Sequence, residues 1–449
     1  MEVQVRASAL PNVSGSMGGG TAGWKRSPHL LLSEAEVRHA VHVCLSYDWF
    51  VVDVETLETP AAKSTGNPNP RTNEVIWVGL GSPGQVFLIP CGHPRGRILT
   101  PRHKEKVPAF TLYGPDDPRS YTATGKISMR GIDQWVEATF DPPPPQLMAH
   151  EVMPLLEPLL YSDRAKIGHN LRFDLKSLGK YFPTLPPGPY HDTIILRHVL
   201  DENLKDSISN GYGLKELTKA WLGTLPYENP DIGKNPELHG IDEVARYLAK
   251  DVRYCQMMWQ LHHPKLKRYD LEAAYAFEMA LFPILMQMEY DGISIDMSKR
   301  QEVADDLHAK ILFVEVEVHH LAGDQFSLSN TNAKRWVMFG EGTPQWGAAK
   351  RKLKTQNLTP LKYTEKTGTP QLNQEALAYY AEKGNRMAEL LLEWSTLEKL
   401  RGTFVDGMDK FLVYQDVLPT LHTGYKQHGT VTGRLSSAQP NLQQLPREE

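Results

Sequence analysis

The sequence predicts an α/β fold, on three observations. The run Phe50-Val51-Val52-Asp53-Val54-Glu55 has the β-branched, apolar composition of a strand. EVIWVGL and QVFLIP flank Ser82-Pro83-Gly84, two apolar runs around a turn signal, which is a hairpin. After residue 150, strand-like runs alternate with helical ones, the pattern of a layered domain with parallel strand pairing.

In chain order, Ser33 stands as N-cap before a helix over residues 34–46. The strand Phe50–Glu55 and the hairpin then give three strands between about 50 and 90, so the sheet begins antiparallel. Side chains alternate along a strand, so Asp53 and Glu55 share a face. Two adjacent carboxylates repel unless a proton or cation lies between them, and hard oxygen ligands suit Mg²⁺ or Mn²⁺. Such pairs also occur on strands with no metal, so the reading depends on further carboxylates.

From Cys91 to Pro145 the periodicity is lost in a stretch rich in Pro, Gly, Arg and Lys, read as a loop-rich insertion. LMAHEVMPLLEPLL reads as a helix broken by its prolines. AKIGHNLRFDLKSLGKYF is a short strand followed by a helix, with Asn170 near the cap and Asp174 on the first turns. HDTIILRHVL reads as a further strand, and GYGLKELTKAWLG as an amphipathic helix. In IDEVARYLAKDVRYCQMMWQLHH, Val244, Leu248, Val252, Cys255 and Trp259 form a core stripe, with Tyr247 and Asp251 four apart beside it. An Asp next to a buried stripe needs a partner or solvent. YAFEMALFPILMQMEYDGISID continues as a long buried helix ending in a Gly turn.

The whole-chain properties exclude several classes. At 449 residues two or three domains are expected. Charged residues are 23% and the net charge is −4, so a polyanion-binding surface would have to be local. Cys44, Cys91 and Cys255 are too few and too scattered for a disulfide framework or a zinc site, which fits a reducing cytoplasm. No apolar run approaches the ~18 residues of a membrane span. Residues 1–30, rich in Gly, Ser and Ala, read as a disordered leader.

Asp53, Glu55, Asp174 and Asp251 make four carboxylates, with Tyr247 as a phenol beside them. Four carboxylates suit two divalent cations about 3.5–4 Å apart, the arrangement used in phosphodiester hydrolysis. In this order, FVVDVETLE, IGHNLRFDLKSL and YLAKDV resemble the three motifs of the DEDD 3′–5′ exonucleases, in the version with Tyr in the third motif. The resemblance implies a ribonuclease-H-like αβα domain over residues 31–265, with Asp53, Glu55, Asp174 and Asp251 as metal ligands. Tyr247, with Glu55, would orient the attacking water, and Asn170 would hold the substrate end. The segment after residue 265 resembles the link from exonuclease to polymerase in the DNA polymerase I family, family A. Residues 266–420 then resemble its mainly α-helical thumb. There Lys350, Arg351, Lys352 and Lys354 would contact phosphates.

Near the end, TGRLSS followed by PNLQ resembles the family A thumb–palm junction. By that resemblance Arg434, Asn441 and Gln443 would contact the minor groove of primer–template DNA, where donors can check pair geometry without reading sequence. Residues 421–449 would begin the palm, with palm and fingers absent. The expectation is a cytoplasmic DNA polymerase portion of phage type that supplies proofreading exonuclease and thumb, in the bacterial host cytoplasm if phage-encoded. A separate palm/fingers polypeptide would complete it, and its terminal segment would be weakly packed alone. The rival expectations are a stand-alone exonuclease with a nucleic-acid clamp, and a non-catalytic DNA-binding scaffold.

Overall fold

A computed structural model describes residues 30–58, 70–114, 116–122, 124, 126–129, 131–202, 211–223, 231–340, 353–414 and 417–445. Residues 1–29, which include almost all of the expected leader, lie outside the described residues. Two compact units are present. The first takes in the described chain to Tyr290 together with Tyr425–Ser436, and the second takes in Asp291–Gly424 and the described residues from Ser437.

The first unit opens with α1 (Glu34–Leu45), capped reciprocally by Ser33 and Glu36. Strands β1 (Trp49–Leu57), β2 (Glu74–Ser82) and β3 (Gln85–Pro90) follow as an antiparallel meander. Strands β8 (Ala165–Gly168) and β9 (Tyr190–Asp192), numbered after the four short strands of the insertion, extend it in parallel, giving the order β3-β2-β1-β8-β9. Helices α1 and α2 (Ala149–Leu160) pack against β2, and the long helix before residue 270 crosses β1, β2, β3 and β8. The ribonuclease-H-like α/β expectation therefore holds.

Two glycines set how closely that long helix approaches. Asp53 is paired across the ladder with Gly79, and Val51 with Gly81. A Cβ on Gly79 would stand 2.7 Å from a Val252 methyl, and one on Gly81 2.6 Å from the other. Without side chains at these positions the helix can lie directly over the strand that carries Asp53.

Three local expectations need correction. Helix α2 runs unbroken through Pro154 and Pro158. Both prolines are exposed and four apart, so the carbonyls they leave unpaired share the wet face while Val152, Met153, Leu155, Leu156, Leu159 and Leu160 bury the other. HDTIILRHVL is a three-residue strand followed by helix α4 (Thr193–Leu200); helices α3 (Leu171–Gly179) and α4 both start beside Asp192. The Asp192 carboxylate accepts from Ile194 N–H at 2.8 Å and from Leu171 N–H at 2.8 Å. The insertion is more ordered than a loop. It contains β4 (Ile98–Thr100) paired with β7 (Thr139–Phe140), and β5 (His103–Pro108) paired with β6 (Gly131–Val136). These strands are held by backbone ladders with mostly exposed side chains, so they lack the apolar alternation that marks strands in a sequence.

Helices α5 (Leu214–Leu222), α6 (Ile241–Arg268) and α7 (Glu272–Asp291) complete the unit. Tyr275, Phe282 and Met286 of α7 are buried in the same core as the sheet, so this unit continues past residue 265.

The second unit has helices α8 (Met297–Ala322), α9 (Thr331–Phe339), α10 (Gln374–Glu382) and α11 (Arg386–Leu400). Asp296, Asn330, Asn373 and Asn385 cap them. Ile311, Val314, Val318, Val337, Leu390 and Leu391 are among the residues of their common core. A small sheet of Ile293–Ser294, Thr420–Leu421 and Leu412–Val413 also belongs here.

Candidate active site

Strand β1 carries Asp53 and Glu55 two residues apart on the face that α6 covers, and α6 brings Asp251 to them. One carboxylate oxygen each from Asp53, Glu55 and Asp251 lies within 4.8 Å of the others. Asp174 joins from α3. Its Oδ1 accepts the Val54 N–H at 3.0 Å, and its carboxyl is within hydrogen-bonding reach of Asp53. Three elements far apart in sequence thus converge on one cluster. Tyr247, one helical turn before Asp251, is buried beside it.

The electrostatics follow from crowding in a dry place. Burial pushes the Asp53 carboxyl well above its ordinary value, and the Asp251 charge pushes it further; the bonds from Asp174 and Val54 and the charge of Lys215 oppose this. Glu55 is raised by burial, then by Asp53 and Asp251. Asp174 is raised by burial, then by Asp53. Burial and the same carboxylates drive the Tyr247 phenol far upward, so it stays protonated. Without cations this group holds protons; with divalent cations the oxygen donors would be matched and the repulsion relieved. The donor set, all carboxylate oxygen, fits Mg²⁺ or Mn²⁺.

A cavity of about 370 Å³ opens on Asp53, Glu55, Asn170, Asp174, Tyr247 and Asp251. A second, of about 320 Å³, shares Asp53, His169, Tyr247 and Asp251 and adds Lys215. Asn170 sits at the start of α3 with φ 67°, a left-handed conformation that Asn tolerates. Its N–H donates to Asp192 Oδ1 at 3.3 Å.

Sequence reasoning missed His169, Lys215 and Gly233. His169 lines both cavities, its Nδ1 is 2.8 Å from Thr193 Oγ1, and burial lowers its pKa to about 4. A Cβ on Gly233 would stand 2.3 Å from the Tyr247 hydroxyl, so this backbone passes against the phenol. His169 lies inside the quoted IGHNLRFDLKSL motif and could have been read there. The other two gain meaning only when the chain folds back.

The remaining expected residues lie elsewhere. Lys350, Arg351 and Lys352 fall outside the described residues. Lys354 follows α9; its N–H donates to the Ala322 carbonyl at 2.7 Å, and its stem covers Gly323. In the second unit Asn441 and Gln443 meet through Ser437. The Ser437 hydroxyl donates to Asn441 Oδ1 at 2.9 Å, and its N–H donates to Gln443 Oε1 at 3.0 Å. Arg434 is exposed in the part of the terminal segment that belongs to the first unit. That part is fastened at its start, ahead of Arg434. Glu289 accepts from Lys176 Nζ at 2.6 Å and from Tyr425 N–H at 2.8 Å, and Arg172 donates to Gln427 Oε1 at 3.0 Å. Arg172 and Lys176 lie on α3.

A mixed five-stranded sheet with carboxylates converging on its central strand defines an exonuclease-type ribonuclease-H-like domain. Residues 134–263 match the family model described as 3'-5' exonuclease, and residues 297–449 match DNA polymerase family A. Asn170, Asp174, Tyr247 and Asp251 fall within the first match, whereas Asp53 and Glu55 precede it and join through the sheet. DNA polymerase I of Rhizobium leguminosarum is 26% identical over 309 residues, 67% of this chain and 28% of that protein. DNA polymerase I of Pseudomonas aeruginosa is 28% identical over 317 residues, 68% of this chain and 32% of that protein. DNA polymerase DpoZ of Acinetobacter phage SH-Ab 15497 is 26% identical over 317 residues, 65% of this chain and 48% of that protein. A solved structure, the POL domain of Pol1 from M. smegmatis in complex with DNA primer-template and dNTP, shares the fold with a TM-score of 0.59. It is 18% identical and covers 93% of this chain and 56% of that one. The chain thus carries a 3′–5′ exonuclease region followed by a DNA polymerase family A region, and DNA polymerases I are among the proteins it resembles. It spans about three-tenths of the length of the two DNA polymerase I relatives, 28% and 32%. Among the described residues no helix is long and apolar enough to cross a membrane.

Proposed function

We propose that this chain proofreads: it removes nucleoside monophosphates one at a time from the 3′ end of single-stranded DNA, with divalent cations. The observation that carries this reading is the approach of Asp53, Glu55 and Asp251 to within 4.8 Å, with Asp174 against Asp53. Asp53, Glu55, Asp174 and Asp251 would hold two Mg²⁺ or Mn²⁺ ions. When bound, the ions would neutralise the carboxylates and stabilise the attacking and leaving oxygens of the phosphodiester.

The chain's own groups do the positioning. The Tyr247 hydroxyl keeps its proton and is hydrogen-bonded to Asp251; turned from that carboxylate to the attacking water, it would donate there. Glu55 accepts a hydrogen bond from the same water, which fixes its lone pair towards phosphorus. Asn170, at the cavity wall, holds the terminal nucleotide. The water oxygen bonds to phosphorus and loses a proton, while the bond from phosphorus to the preceding nucleotide's O3′ breaks and that oxygen takes up a proton to leave as the new 3′ hydroxyl. Residues 297–449 would serve as DNA-gripping thumb and primer–template junction, with Arg434, Asn441 and Gln443 at the minor groove and Lys350, Arg351, Lys352 and Lys354 at phosphates. They would act with a palm and fingers from outside these 449 residues. The polymerase match over this region disfavours an unrelated clamp on a stand-alone nuclease.

The test is digestion of a 5′-labelled single-stranded oligonucleotide with Mn²⁺. Wild type should shorten it stepwise from the 3′ end, and Asp53→Ala with Glu55→Ala should stop this while the fold, read by circular dichroism, is kept. Undiminished digestion by the double variant would refute the assignment.

A further inference from the structure

The carboxylate cluster has a cation at its side whose role is not yet assigned. Lys215 is the second residue of α5, and its Nζ stands 4.4 Å from the centroid of the Tyr247 ring. It lines the same cavity as Asp53, Tyr247 and Asp251. Its charge acts attractively on both Asp53 and Glu55.

Charge balance says what such a cation can do. Two divalent ions cancel the charge of Asp53, Glu55, Asp174 and Asp251. A phosphodiester then brings a further negative charge into a site of low dielectric, and displacement at phosphorus spreads more over its oxygens. Nothing in the balanced set of ions and carboxylates offsets that addition. Lys215 supplies a positive charge on a flexible stem, at the cavity wall, held in place by the face of Tyr247. This argument rests on the nuclease reading above.

We infer that Lys215 is a DNA-backbone ligand of the exonuclease site, donating from Nζ to a non-bridging phosphate oxygen of the strand end while its stem rests on Tyr247. A merely structural lysine would hold the Tyr247 ring and leave DNA affinity untouched. The two roles separate in binding, without turnover.

The experiment measures anisotropy of a 5′-labelled single-stranded oligonucleotide with the full chain, in Ca²⁺, with intact DNA verified on a gel. Affinity is taken across a salt series. Lys215→Met should weaken binding about tenfold, the loss of one charge-assisted hydrogen bond. It should also flatten the slope of log Kd against log salt by about 0.7, one phosphate contact on a single strand. Lys215→Arg, which keeps the charge, should restore most of the affinity and the slope. Lys219→Met, exposed one turn along the same helix, should change neither. Tyr247→Phe should slow hydrolysis and leave binding as in wild type. If Lys215→Met binds with wild-type affinity and slope, losing only turnover as Tyr247→Phe does, the phosphate role is overturned. Continued digestion by the Asp53→Ala, Glu55→Ala variant would instead sink the nuclease reading, so the two failures are distinct.

Discussion

In the sheet-based unit Glu55, Lys166, Arg172, Asp174, Lys176, Asp192, Arg197 and Glu289 are all buried, and so are His93, His198 and His262. In the helical unit, among the described residues, no Asp, Glu, Lys, Arg or His is buried; its buried polar groups are Thr420, Thr423 and Ser437. The two units are thus stabilised differently. The helical unit buries aliphatic and aromatic side chains and leaves its charged side chains at least partly exposed. The sheet unit offsets the cost of many buried charges with specific partners, as Lys176 and Tyr425 do for Glu289. Burial raises Asp53, Glu55 and Asp174, and their mutual repulsion is relieved by protons or by cations.

That contrast can be sharpened with two stability variants. Leu390→Ala, in the core of the helical unit, should cost about 4 kcal/mol through lost transfer energy and a cavity. Exonuclease activity per folded molecule should persist, because Asp53, Glu55, Asp174, Tyr247 and Asp251 all belong to the other unit. Lys176→Met should cost less, about 3 kcal/mol, since Arg172 remains 3.6 Å from the Glu289 carboxylate. It should nevertheless lower exonuclease activity, because Lys176 is on the helix that carries Asp174. Urea unfolding together with nuclease assays reads both. Equal effects of the two variants on hydrolysis would dissolve the distinction.

A smaller effect comes with pH. His93 is buried, its Nδ1 accepts from Trp77 Nε1–H at 3.1 Å, and burial lowers its pKa to about 4. The unfolded ring titrates near ~6.5. Between those values the unfolded state binds more protons, so this residue's contribution is lost as pH falls through that window. The raised carboxylates act in the opposite sense, which makes the difference between wild type and His93→Gln the useful quantity. From pH 7 to pH 5 that difference should move in favour of the variant by roughly 1–2 kcal/mol. A pH-independent difference would show that His93 titrates alike in the folded and unfolded chain.

Much of this was legible in the sequence, for physical reasons. Period-2 alternation puts Asp53 and Glu55 on one face, and a spacing of four puts Tyr247 one turn from Asp251. What was hidden depends on tertiary approach. Gly79 and Gly81 look like weak strand residues until Val252 is placed over them. The paired strands of the insertion carry little apolar alternation, and α2 tolerates its prolines because both face water. Lys215 reads as an ordinary first-turn lysine until its helix packs beside Tyr247.

The central claim is that the buried charge of the sheet unit is a cation site. Titration of the full-length chain with Mn²⁺, followed by electron paramagnetic resonance with deoxythymidine monophosphate present, tests it most directly. Asp53 lies next to both Asp174 and Asp251, so it should serve both ions. The account predicts two Mn²⁺ bound by wild type and none retained at the site by Asp53→Ala. Equal Mn²⁺ binding by the two proteins would contradict it.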